Sequence, residues 1–395
     1  MGITAVTTPA SNTVATRPVV WELTSNSPTI VRLILVVTDT VNTISTIEQN
    51  PEPGTTGVFK FNISSVLSDQ LSFTPSNALV TGVIPSTISQ DTAFIKYAIR
   101  AYEVLADGTT TYPGASDYIS IAFYSHNYIL THKEWVKPFL LSDYDMETGT
   151  GKSFLTNSAD TKCITKGYSE YLAMHRVQND AVFVRDYYDG NDVFLFTQRN
   201  PVVNKAGSIE FDDQYGAVTG LGLPGSGEPG DLLAGVVGAY CLVYIENSDL
   251  SVASEVKKYI FKEQCGEDIQ IHWENKFGAQ DSRTFKGRIV RGFNHKSKNY
   301  LKPNGNIITS TSRGSATLSN SVEHTFDVYS KSIPRSEVNW IQEMFINKRA
   351  WTEEDGHLLP IIIENGSVIE SDSENGIYNI SFSFSYANLT DGSRG

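Results

Sequence analysis

Apolar and polar residues alternate with a period of two through much of this 395-residue chain, and that period predicts strands. It is clearest in 377-IYNISFSFSYANL-389. There Tyr378, Ile380, Phe382, Phe384 and Tyr386 fall on one face and Asn379, Ser381, Ser383 and Ser385 on the other. In 93-AFIKYAIRAYEVL-105 the same rule sets Ile95, Tyr97, Ile99 and Ala101 against Thr92, Lys96 and Arg100. Further strands are predicted over 28–39, 57–65, 117–125, 169–177, 181–188, 192–198, 233–246, 256–264, 322–330 and 359–371. Three pairs read as tight hairpin turns: Asp107-Gly108, Asp189-Gly190 and Asn365-Gly366. One segment has the helical period instead. Residues 334–347 open on Pro334, which suits a first turn, and Val338, Ile341, Phe345 and Lys348 follow one stripe.

The pattern divides the chain into four parts. Residues 1–20 are rich in Thr, Ala, Ser and Val without a period, which reads as an extended N-terminal arm, a candidate for reaching a neighbour, with a floppy tail as the alternative. Residues 21–125 hold short strands between Pro, Gly, Asn and Asp loops, as in an immunoglobulin/fibronectin III-like β-sandwich. Residues 126–265 form a second β-rich domain containing the loop 219-TGLGLPGSGEPGD-231, a second candidate for contact with neighbours. Residues 266–395 form a C-terminal β domain with the single clear helix. The expected class is mainly β and multidomain, and the plentiful Tyr, Phe, Val, Ile and Thr agree.

Charge narrows the partners. With 31 Lys and Arg against 44 Asp and Glu the formal charge is −13. A surface this acidic argues against sequence-independent nucleic-acid binding and against docking on an anionic membrane. No run of 18 apolar residues predicts a membrane-spanning helix. The N-terminus lacks a basic start followed by an apolar core, so no secretory signal is expected. Three scattered cysteines, Cys163, Cys241 and Cys265, make no disulfide framework and no zinc knuckle.

Candidate chemistry is sparse. Gly220, Gly222 and Gly225 spell GxGxxG, but Pro224 and a further Gly/Pro run follow where a helix should open on the pyrophosphate. Gly149-Thr-Gly151-Lys152-Ser153 ends like a P-loop, yet its leading glycine position is Met146. Asp143, Asp145 and Glu147 form one acidic loop, with Thr148 and Thr156 where an EF-hand needs Gly and Glu. Asp186, Asp189, Asn191 and Asp192 form another. Both read as turns with solvated carboxylates, with calcium as the alternative. Histidines 126, 132, 175, 272, 295, 324 and 357 show no zinc-binding spacing, and no GxSxG elbow occurs. No catalytic, cofactor-binding or metal-binding residue is assigned, no cofactor is expected, and the chain does not read as an enzyme.

The densest polar stretch is 271-IHWENKFGAQDSRTFKG-287. A strand, a sharp polar turn and a second strand account for its residue types. Asn275 and Asp281 are suited to turning the backbone through their side chains, and Trp273 and Phe277 supply apolar mass between Gly278 and Gly287.

The pattern Trp273-x-Asn275-x-x-Gly278-x-x-Asp281, followed by Phe285, resembles a segment of structural virion proteins from tailed phages of Bacteroidetes, crAss-like phages among them. Two more stretches are similar to that family. One is 18-PVVWELTS-25 with 56-TGVFKFNISSVLSDQL-71; the other is a helix, 350-AWTEEDGHLLPIIIENGSVIE-370 and a last alternating strand. The resemblance implies a tail, neck or baseplate protein that closes as a ring of identical subunits, with other virion proteins above and below. It implies assembly in the bacterial host cytoplasm and no catalytic residues. A glycan- or host-receptor-binding adhesion module is the alternative, and a hydrolase the third reading.

Overall fold

A computed structural model describes residues 3–9, 12–15, 18–39, 42–51, 57–72, 87–88, 94–112, 118–123, 144, 152–165, 170–175, 181–201, 215–220, 238–262, 268–301, 315–346, 349–354, 357–364, 368–372, 377–387 and 390–391. Among the described residues strands account for 66% and helices for 7%, so the mainly β, multi-sheet class holds.

The N-terminal part comprises β1 (Ile3–Thr7), β2 (Asn12–Val14), β3 (Val20–Ser25), β4 (Ile30–Thr38), β5 (Thr43–Gln49), β6 (Val58–Asn62), α1 (Ser64–Ser68), β7 (Thr87–Ile88), β8 (Phe94–Leu105), β9 (Thr110–Thr111) and β10 (Tyr118–Phe123). One sheet has the order β1-β3-β6. The other has the order β2-β10-β8-β4-β5, with β9 on β8. Alternation aims one face of each strand inward. Trp21 and Leu23 of β3, Leu33, Leu35 and Val37 of β4, Phe59 and Phe61 of β6, and Tyr97 and Ile99 of β8 form a shared core. This two-sheet sandwich is compatible with the immunoglobulin/fibronectin III type. The Asp107-Gly108 turn joins β8 to β9, with Gly108 at φ 83°.

The stretch expected as an extended arm supplies strands β1 and β2 of the N-terminal sandwich. Residues 3–7 pair antiparallel with β3, and residues 12–14 pair parallel with β10. Ile3, Ala15 and Val19 are buried. The segment lacks a sequence period because it crosses from one sheet to the other, and its backbone groups find partners within its own sandwich.

The central part comprises β11 (Thr161–Thr165), β12 (Tyr171–His175), β13 (Val182–Asp189), β14 (Phe194–Pro201), β15 (Tyr215–Gly220), β16 (Gly238–Glu246) and β17 (Lys257–Lys262). Its main sheet runs β11-β17-β16-β13-β14, and a small one runs β12-β15-β7. Phe183, Tyr187, Cys241, Val243, Ile245 and Tyr259 line its core. The Asp189-Gly190 turn between β13 and β14 forms as expected. The first two residues of the predicted 219–231 loop belong to β15, and the rest lie outside the described residues.

The C-terminal part comprises β18 (Ile269–Glu274), β19 (Gln280–Phe285), β20 (Gly287–Leu301), β21 (Ser315–Pro334), α2 (Arg335–Ile346), β22 (Ala350–Glu354), β23 (His357–Ile363), β24 (Val368–Asp372), β25 (Ile377–Tyr386) and β26 (Thr390–Asp391). The sheet order is β19-β18-β22-β23-β25-β21-β20, with β24 on β25 and β26 on β21. α2 packs on this sheet through Val338, Trp340, Ile341 and Met344, against Ile271, Trp273, Phe285 and Phe382. Pro334 closes β21 immediately before the helix rather than sitting in its first turn.

Asn365-Gly366 lies outside the described residues, but the hairpin expected there is overturned by its flanks. Ile361 to Ile363 pair with Tyr386 to Phe384, and Val368 to Asp372 then pair with Ser381 to Ile377. β23 and β24 follow one another along the same edge of β25, so the chain does not reverse between them. The reversal falls between β24 and β25.

Candidate functional site

The polar stretch 271–287 is a hairpin, as its composition predicts, and it sits where the central and C-terminal parts meet. β18 and β19 pair from Ile269↔Phe285 to Glu274↔Gln280. Asn275 makes the corner. Its Oδ1 accepts from the backbone N–H groups of Phe277 and Ala279, both at 3.0 Å, and Gly278 takes φ 76°. Its Nδ2 donates to the Leu155 carbonyl of the central part at 2.8 Å. One side chain therefore shapes the turn and ties it to a segment 120 residues earlier.

Asp281 takes a different role from the expected turn-making one. Its Oδ2 accepts from the Trp340 indole of α2 at 2.6 Å, while Trp273 packs on Trp340 at 5.0 Å between ring centroids. Arg283, two residues on and so on the same face, pairs with Glu337 of α2. The opposite face carries His272. Its Nε2 lies 3.2 Å from Glu353 Oε2, its Nδ1 lies 3.4 Å from Gln280 Nε2, and the edge of Tyr171 from β12 meets its ring at 5.6 Å.

β19 is the edge of the C-terminal sheet, and Lys162 of β11 covers it. The Lys162 Nζ donates to Glu170 at 2.6 Å and to the Ser282 backbone carbonyl, and lies 4.7 Å over the Trp340 ring. Glu343 of α2 completes the set. It accepts from the Asn157 side-chain amide and, at 3.1 Å, from the Lys276 backbone N–H.

These groups are sealed from water: Lys162, Glu170, Asp281, His272, Glu337 and Glu343 are all buried, His272 and Glu343 at 0%. Burial is the first cause of every shift among them. It pushes the carboxyls of Glu170 and Asp281 up and lowers Lys162, with the Lys162–Glu170 attraction working against it on both partners. Burial, reinforced by the charge of Asp281, raises Glu343 to about 7. Burial lowers Arg283 to about 10 and holds His272 below its ordinary range, so the imidazole is neutral.

Chemically the cluster contains acids, a lysine and an imidazole, but it presents no surface to a substrate. What it does is join two cores. The central core ends at residues such as Phe154 and Leu172, the C-terminal core begins at Ile271 and Trp273, and polar side chains bridge them. None of Lys162, Glu170, Asn157, Trp340 or Glu343 was singled out from sequence. Only α2 gave a signal, since Glu337 and Glu343 flank its apolar stripe and go under with it.

The other candidates separate. Asp186 accepts from Thr197 at 2.6 Å and Tyr244 at 2.9 Å. Asp189 accepts from the backbone N–H groups of Asn191 and Val193, which hold its carboxyl below the usual range. Asp192 accepts from the Tyr240 hydroxyl at 2.9 Å. These carboxylates are turn and sheet acceptors, and no metal-binding group of His, Cys, Asp and Glu forms among the described residues. Asp143, Asp145 and Glu147 lie outside the described residues, as do Gly149, Gly151, Gly222 and Gly225. Cys241 is buried and its thiol is pushed up to about 12, while Cys163 is exposed.

No protein-family model matches the sequence, and none of the curated proteins aligns with it significantly.

Proposed function

We propose that this chain is a structural subunit of a tailed-bacteriophage virion, assembling as a ring of identical copies in the tail, neck or baseplate. One observation carries the reading. Every residue of Trp273-x-Asn275-x-x-Gly278-x-x-Asp281, the stretch that resembles virion proteins, has an architectural task. Trp273 packs the core, Asn275 and Gly278 make the corner, and Asp281 anchors the helix. The most polar stretch of the chain is spent on welding two β bodies together, with no open face left for chemistry. A building unit needs that rigidity, and an enzyme would need access.

The test is light scattering and negative-stain microscopy on the purified full chain, with mass spectrometry of intact particles from its source. Closed rings of one subunit number, and the chain within virions, are expected. A strict monomer that is missing from virions overturns the reading.

One surface favours a glycan-binding adhesion module as a second reading. Tyr188 and Tyr240 stack at 5.0 Å on the central sheet, Phe194 stands edge-on to Tyr188, and the Lys258 ammonium lies 3.7 Å over Tyr240. Half-exposed aromatics beside Asp192 suit a sugar ring. Binding on a glycan array that Tyr240→Ala abolishes would establish this reading, and a blank array removes it.

A further inference from the structure

β20 and β21 outgrow their sheet. Among the described residues, β21 pairs with β25 only from Thr325 onward, and β26 pairs with it only at Ser321 and Val322. The ladder between β20 and β21 nevertheless continues from Gly292↔Thr325 to Leu301↔Ser315. At about 3.3 Å per residue, a two-stranded ribbon of roughly 30 Å runs on past the last β25 pair, flanked by β26 at Ser321 and Val322. Residues 291–300 are all exposed. Along the ribbon one face changes partner. At the base it holds Phe326 and Val328 in the core, and further out it offers Phe293, 70% exposed, with His295, Val322 and His324 beside it.

The ribbon's charge opposes that of the rest of the protein. The whole segment 287–334, base, ribbon and connecting residues together, holds seven Lys and Arg against two Asp and Glu, a net of +5, with Lys296 paired to Glu323 at 2.7 Å. The remaining residues must then carry −18 to give the overall −13. Arg288, Arg291, Lys296 and Lys298 all lie on β20, the outer edge strand, which bears no acid. An edge strand with this charge resists pairing with its own copy, because like charges would meet along the ladder. It attracts the acidic body of another copy. Contact between two different patches is head-to-tail, and a head-to-tail contact that closes makes a ring.

We infer that the β20–β21 ribbon is the docking arm of this protein, and that its occupant is the acidic surface of a second copy of the same chain. The inference rests on the ring reading above and deepens it by naming the patch. Nucleic acid is the other polyanion a basic ribbon meets, but here the −18 body repels it.

The experiment compares wild type with Lys298→Glu and with Lys296→Glu/Lys298→Glu, exposed positions outside the core; Lys296 pairs with Glu323 at 2.7 Å, so the single variant separates loss of surface charge from loss of that pair. Sedimentation is read at low and high salt. In parallel, a photo-crosslinking benzoylphenylalanine replaces Phe293 in the full chain. Expected are assembly weaker in the single variant and at least tenfold weaker in the double, unchanged melting, wild-type assembly that loosens at high salt, and a cross-link mapped to an acidic segment of a second copy. If wild type forms rings and the single variant forms them equally well, the arm is overturned while the ring stands. If wild type never associates, both fall. If a duplex DNA oligonucleotide binds the wild-type ribbon and no copy cross-links to it, the occupant is wrong.

Discussion

Removing the Lys162 charge tests whether the junction is as sealed as its geometry indicates. In Lys162→Met the Glu170 carboxylate loses its 2.6 Å partner, the Ser282 carbonyl loses a donor, and Asp281 loses a neighbouring positive charge. Breaking one side of a buried ion pair costs about 3–5 kcal/mol, because the remaining charge stays in a medium that solvates it poorly. If the central and C-terminal parts melt together as one unit of about 240 residues, each kcal/mol moves the transition by roughly 2–4 °C. The single variant should therefore melt roughly 6–20 °C lower by calorimetry at pH 7.5. Lys162→Met/Glu170→Leu removes both charges and should recover most of that loss, since replacing a whole buried pair by apolar side chains is often neutral or better. A single variant within about 2 °C of wild type, or a double variant no better than the sum of its parts, would refute the claim that water is excluded there.

Three further outcomes follow from named contacts. Glu343 in the folded state holds its proton to about pH 7, well above the usual carboxylate range, so its contribution is full in acid and disappears as pH rises towards 7. The gap is about 3 kcal/mol, and urea unfolding from pH 5 to 8 should show wild type losing stability relative to Glu343→Gln across that range. Asn275→Ala removes two turn bonds and the link to Leu155, and should cost about 2–4 kcal/mol with faster proteolysis between the central and C-terminal parts. Deleting residues 1–15 should lower the melting of the N-terminal sandwich itself, because β1 and β2 are strands of that fold; an unchanged melt with impaired assembly would restore the expectation of an arm that reaches a neighbour.

Period-two patterning was a good guide wherever one face of a strand is buried. β8 and β25 show it, with Tyr97, Ile99, Ile380, Phe382 and Phe384 inside. It failed where no such asymmetry exists. β5 reads TISTIEQ and is half-covered or exposed throughout, and most of β20 is a polar ribbon held by its partner strand alone. Asn365-Gly366 has the chemistry of a tight turn, but the pull of β25 on both flanking strands decides where the chain reverses. The corner 271–287 was legible as strand, turn and strand because Asn and Gly act locally. Its partners were not, because Lys162, Glu170 and Asn157 come from another part of the chain, and pairing between distant charges leaves no mark on local spacing.

The weld between the two bodies also sets a timetable. Ser282 is synthesised 120 residues after Lys162, and Glu343 186 residues after Asn157. At about 5–20 residues per second on a ribosome, Lys162 waits roughly 6–24 s for Ser282 and Asn157 roughly 9–37 s for Glu343. Throughout that interval Lys162 and Glu170 stay hydrated, while the open margin of the central sheet exists only once β17, which pairs with β11, has been made, 20 residues (282 less 262) before Ser282. A slower stretch of translation between residues 262 and 282 would therefore lengthen the time for which that margin stays uncovered.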